Sequence, residues 1–127
     1  MGEGLAEEAK VALTFLSQPF ERFRSGNIVF DCKVQCSFAY SRAKGDWTRL
    51  HSAGAWRDLA VSVVQVGYLS DLSYFMLAEA AKGMGNKDAA AAYYKRALEA
   101  GKDNACGSGV FSCEGFEVQK SAAAALK

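Results

Sequence analysis

The stretch DLSYFMLAEAAKGMGNKDAAAAYYKRALEAG, residues 71–101, decides the fold class. It reads as two helices broken at Gly85. Ser70 or Asp71 offers a short side-chain oxygen to the exposed amides of the first helix, and Asn86 or Asp88 does the same for the second. Met84 then ends the first helix and Gly101 the second. Ala78, Ala90 and Ala97 are small enough to let two antiparallel helices approach closely, and Tyr74, Leu77 and Tyr94 fill the flanks of that contact.

Upstream, Trp56, Leu59, Ala60, Val63, Val64 and Gly67 step along one face of a helix over residues 55–66, with Gly67 placed as a left-handed cap. Gly54 separates it from a short helix over 47–52. The period changes before that. Ile28, Phe30, Cys32, Val34, Cys36, Phe38 and Tyr40 alternate with Val29, Asp31, Lys33, Gln35, Ser37 and Ala39, which predicts a half-buried extended or β segment near 28–40. A helix through residues 33–44 is the competing reading. Ser25-Gly26-Asn27 is a turn, and residues 5–24 form an amphipathic helix that Pro19 should end or kink. Downstream, Cys106 and Cys113 flank a glycine-rich loop before a short terminal helix over 117–126. The expected architecture is mainly α, with five or six helices, in one domain. Residues 1–46 hold the N-terminal helix and extended segment, 47–101 the helical hairpins, and 102–127 a cysteine-bearing cap.

Residues 71–102 resemble a tetratricopeptide repeat, whose period is about thirty-four residues. The family's large-and-small pattern is met by Tyr74, Leu77, Ala78, Gly85, Ala90, Tyr94 and Ala97. Ala81 stands where an aromatic is usual, and Lys102 where proline is usual. An eroded copy lies thirty-one residues earlier: Gly54, Leu59, Val63 and Val66 correspond to Gly85, Ala90, Tyr94 and Ala97. Its first helix matches poorly, with Ala43, Asp46 and Trp47 at the positions of Tyr74, Leu77 and Ala78. One good unit and one eroded unit fall short of a freestanding array, so the flanking segments are expected to cap it. The resemblance implies a partner-binding face on the first helix of the pair, carried by Leu72, Phe75, Glu79 and Lys82. The competing reading packs Leu72 and Phe75 inside the chain. The ending Cys113-Glu114-Gly115-Phe116 also resembles the cysteine loop of small bacterial cell-envelope proteins that carry such a repeat.

The chain has four cysteines. A glycine-rich hairpin can bring Cys106 and Cys113 to disulfide distance. Cys32 and Cys36 can pair only if their segment is helical or bent, since a strand would hold their Cα atoms about 13 Å apart. Disulfides rank first, which favours an oxidising compartment such as a periplasm. Buried thiols in a cytoplasmic protein rank second, and a four-cysteine zinc site third, because the six-residue spacer of the second pair departs from the usual ligand spacing.

Fifteen basic and fourteen acidic side chains leave almost no net field to attract nucleic acid or an acidic membrane. The region from Arg22 to Arg57 does lean basic, with Arg22, Arg24, Lys33, Arg42, Lys44, Arg49 and Arg57 against Asp31 and Asp46. Phe23, Phe30, Phe38, Tyr40, Trp47 and Trp56 are interleaved with these charges. Such a surface could contact cell-wall glycan or lipid, while the plainer reading is solvated charge on separate elements. The longest apolar run, residues 59–69, is too short for a bilayer, which needs about twenty. The acidic start does not read as a signal peptide, though it leaves open a mature terminus. His51 is the single histidine. It reads as an exposed helix-end residue, and no nucleophile elbow, phosphate loop or metal-binding histidine pair accompanies it. The expectation is a non-catalytic protein-interaction or scaffolding module of the cell envelope, binding another protein or peptide, with no cofactor or metal.

Overall fold

The computed structural model describes residues 20–106 and 112–127. The described chain is mainly helical and contains no sheet. Five helices follow a helical turn at residues 20–24: α1 (Val34–Ser52), α2 (Trp56–Val66), α3 (Asp71–Gly83), α4 (Lys87–Asn104) and α5 (Val118–Ala125). α3 lies at the centre, packed on α2 and most extensively on α4. α1 pairs with α2, α5 with α4, and both also reach α3.

Local chemistry sets the helix ends. Ser70 Oγ accepts from the Ser73 amide at 3.0 Å and Asn86 Oδ1 from the Ala89 amide at 3.2 Å, so both α3 and α4 start on a side-chain cap. α2 stops at Gly67, whose φ of 67° places it in the left-handed region and whose amide donates to the Val63 carbonyl. Of the helix expected over residues 5–24, residues 5–19, the proline included, lie outside the described residues.

Two expectations about the N-terminal half are corrected. Of the segment expected to be extended, only residues 28–33 lie outside a helix. Their single ladder contact is an isolated parallel bridge between Cys32 and Tyr68, where the Leu69 amide donates to the Cys32 carbonyl at 2.8 Å. From Val34 the chain is helical without interruption to Ser52, so residues 34–40 are not a strand and 47–52 is not a separate helix. The alternation misled because two of its seven apolar residues face water. Val34 is 84% exposed and Phe38 71%, whereas Tyr40, Lys44 and Trp47, at helical steps, are buried. Cys32 and Cys36 are joined with their Cα atoms 5.8 Å apart, a spacing that one helical turn supplies and a strand cannot. A third difference is smaller: α4 continues past Gly101 to Asn104.

The extended segment is pinned by tyrosines from the central pair. The Phe30 amide donates to the Tyr74 hydroxyl at 2.8 Å, and the Tyr93 hydroxyl donates to the Phe23 carbonyl at 2.7 Å. Phe23 stacks on Tyr93, and the Phe30 ring lies tilted against Tyr74. Backbone amides without a sheet partner thus find phenol oxygens instead.

Candidate functional site

Ten of the thirteen residues of α3 are buried, so this helix offers little bare surface. Of the face expected to meet a partner, Leu72 and Phe75 are inside the core, Glu79 is half-buried and Lys82 alone is exposed. The packing residues Tyr74, Leu77, Ala78, Ala90, Tyr94 and Ala97 are all buried, and Gly85 takes a left-handed φ of 81°.

The C-terminal segment is what covers Phe75. The Phe116 ring lies 5.7 Å from the Phe75 ring and 4.9 Å from the His51 imidazole. His51 is not a free helix end. Its Nε2 is 2.9 Å from Glu79 Oε1, and its ring also meets Trp56 edge-on. The second oxygen of Glu79 accepts from the Tyr94 hydroxyl. One carboxylate therefore ties α1, α3 and α4 together. Burial, reinforced by the neighbouring Glu79 carboxylate, holds the Tyr94 phenol well above its ordinary value, so it stays a proton donor.

Lys44 is the second anchor for this segment. Only 2% exposed, it donates from Nζ to the Ser112 carbonyl at 2.9 Å and pairs with Glu114 at 3.4 Å, with its charge over the Tyr40 ring. The basic-aromatic surface expected between Arg22 and Arg57 is therefore not assembled as such. Phe23, Phe30, Tyr40 and Trp47 are core residues and Lys44 faces inward, which leaves Phe38 as the one strongly exposed ring of that set, under the Arg42 guanidinium.

Asp71 forms the third anchor. It is 1% exposed, and one oxygen accepts from the Leu72 amide at 2.8 Å. The other accepts from the Cys106 amide at 3.0 Å and the Gln119 amide group at 3.3 Å. Gln119 also donates to the Ala97 carbonyl, and its side chain lies against Gly101 so closely that a Cβ there would sit 2.0 Å from Nε2. Cys106 and Cys113 are joined beside this carboxylate, Cα atoms 5.3 Å apart. The four cysteines form two separate pairs, so a four-cysteine metal site is not assembled.

Sequence reading missed Lys44, His51, Asp71, Phe116 and Gln119 as partners in one arrangement. Each contact joins residues far apart in the chain, and no local spacing signals such pairs. The short polar side chain of Asp71 at a helix start looks like any first-turn acid. No described helix is long and apolar enough to cross a membrane. No family model, curated protein or solved structure matches this chain.

Proposed function

We propose that this protein is a non-catalytic interaction or scaffolding module of tetratricopeptide type, binding another protein or peptide in the bacterial cell envelope. One observation carries the reading. The connections α1–α2 and α3–α4 are each three residues long, with a left-handed glycine in the middle, Gly54 and Gly85. Their hydrogen bonds coincide: Gly54 to the His51 carbonyl and Ala55 to Leu50 in one, Gly85 to Lys82 and Asn86 to Ala81 in the other. Two turns of identical bonding thirty-one residues apart support a duplicated helix–turn–helix unit.

The same offset relates Lys44 to Phe75 and His51 to Lys82. Lys44, His51 and Phe75 all touch the short irregular segment Ser112 to Phe116. First helices of both units thus hold one segment of chain across them, which is how a helical repeat holds a peptide. Here the occupant is the protein's own tail. The paired cysteines, at both ends of the described chain, support an oxidising location.

The test is selection from a displayed peptide library on the full chain and on Phe116→Ala, with helicity checked by circular dichroism. Enrichment of aromatic peptides by the variant over the parent is the expected result. Peptides enriched by neither protein would overturn the reading.

A second reading, a structural envelope protein touching glycan or lipid, is favoured by Val34 and Phe38, exposed one helical turn apart beside Arg42. It predicts sedimentation with isolated wall material that is lost when Arg42 and Arg49 are neutralised together.

A further inference from the structure

The carboxylate of Asp71 and the sulfurs of Cys106 and Cys113 stand close enough to serve one ion. One ligand atom from each lies within 4.8 Å of the others, and Cys106 Sγ is 3.3 Å from Asp71 Oδ2. A tetrahedral zinc with a sulfur at about 2.3 Å and an oxygen at about 2.0 Å sets those two atoms about 3.5 Å apart, close to the separation found. Among the described residues, the hydrogen-bond donors to the buried Asp71 carboxylate are all neutral: two backbone amides and the Gln119 side chain. Buried anions ordinarily take a cationic partner. The Cys106 amide and Gln119 already hold the ligand oxygen from outside, the arrangement that orients metal-bound carboxylates. An open cavity of about 600 Å³, lined by Asp71, Cys106, Cys113 and Gln119 among others, gives access and room for a water as fourth ligand.

We infer that, with the Cys106–Cys113 bond reduced, Asp71, Cys106 and Cys113 form a binding site for a tetrahedral divalent metal ion of the zinc class. The chemistry balances in two steps. A dithiol reductant passes two electrons and two protons to the disulfide, leaving two thiols here and a cyclic disulfide on the reductant. The metal ion then displaces both thiol protons to solvent. Two thiolates and one carboxylate around a dication leave a single net negative charge. The disulfide and the metal exclude one another, and either of them closes the loop between Cys106 and Cys113. Cys32 and Cys36 take no part, which separates this site from a four-cysteine centre.

The experiment uses the full chain with cobalt as a spectroscopic probe and zinc as competitor. After reduction by a metal-free phosphine or dithiol, cobalt should give thiolate charge-transfer and tetrahedral ligand-field bands that zinc abolishes. The oxidised protein should give none. Asp71→Asn keeps the side-chain shape and should weaken zinc at least about tenfold, while the double variant Cys32→Ser/Cys36→Ser should bind as the parent does. In case Asp71→Asn loses helicity, alkylation of the reduced parent followed by mass mapping decides without any variant. Zinc should shield Cys106 and Cys113 from alkylation and leave Cys32 and Cys36 reactive. Absence of cobalt bands, equal labelling of all four thiols, or dependence on Cys32 and Cys36 would overturn the inference.

Discussion

α3 and α1 each lead through a three-residue connection into the next helix, yet ten of thirteen residues are buried in one and three of nineteen in the other. The difference is position. α3 has neighbours on every side, with α2 and α4 against it and the C-terminal segment laid over Phe75. Close approach from both sides requires small residues, and Ala78, Ala80 and Ala81 are fully buried there. α1 stands at the edge and buries one stripe, Tyr40, Lys44 and Trp47, against α2 and the tail. An edge helix with a single covered stripe can tolerate Val34 and Phe38 in water, whereas a central one has no such freedom. Burial in this protein follows the place of a helix in the stack more than its composition.

The comparison predicts a graded response to substitution. Leu77→Ala, in the middle of α3, should cost about 3 kcal/mol of unfolding free energy in urea titration, since neighbours on all sides cannot close the cavity. A loss comparable to surface sites would mean that α3 is not central. Gly83→Ala comes next. A Cβ there would fall 2.3 Å from the Trp56 indole, so the ring must move, and about 1–2 kcal/mol should be lost despite the better helix propensity of alanine. Tryptophan emission should shift as the urea midpoint falls. On α1, Lys44→Met removes the bond to the Ser112 carbonyl but leaves Glu114 able to hydrate. A loss of about 1 kcal/mol is expected, with earlier proteolysis of the C-terminal segment than in the parent. Phe38→Ala, on the same helix, should stay within about 0.5 kcal/mol of the parent. A larger effect there would show that the exposed face of α1 is covered in solution.

Alkaline titration tests whether the buried stripe of the edge helix is as dry as the core. Burial pushes the Tyr40 and Tyr93 phenols up to about 12. The unfolded chain releases these protons near pH 10 while the folded protein still keeps them, so it binds fewer protons than the native state in that interval. The stability they contribute is complete below about pH 10 and is lost as pH rises toward about 12. Urea midpoints should therefore fall across that window, together with late ionisation absorbance from the buried tyrosines. Midpoints that stay level would indicate that these phenols are not desolvated.

The helices of the central pair were legible because their signals are local. Ser70 and Asn86 cap, Gly67 takes a left-handed conformation, and the apolar steps of α2 repeat every three or four residues. The segment from Val34 to Tyr40 was misread because alternating apolar residues fit a strand with one dry face as well as a helix at an edge with exposed apolar side chains. Only the cysteine spacing pointed the other way. That Phe116 lies over Phe75 was not legible, because the sequence cannot say which distant segment lies on which helix.

Sequence alone determined the helical class, the turns at Gly54 and Gly85 and the helix end at Gly67. Capping, glycine conformation and apolar period act over a few residues and carry their own signal. Tertiary structure decided that Phe116 covers Phe75, that Lys44 and His51 turn inward, and that Asp71 meets Cys106 and Cys113. Those contacts join residues tens of positions apart, and their free energy arises only when packing has brought the partners together and removed the water between them.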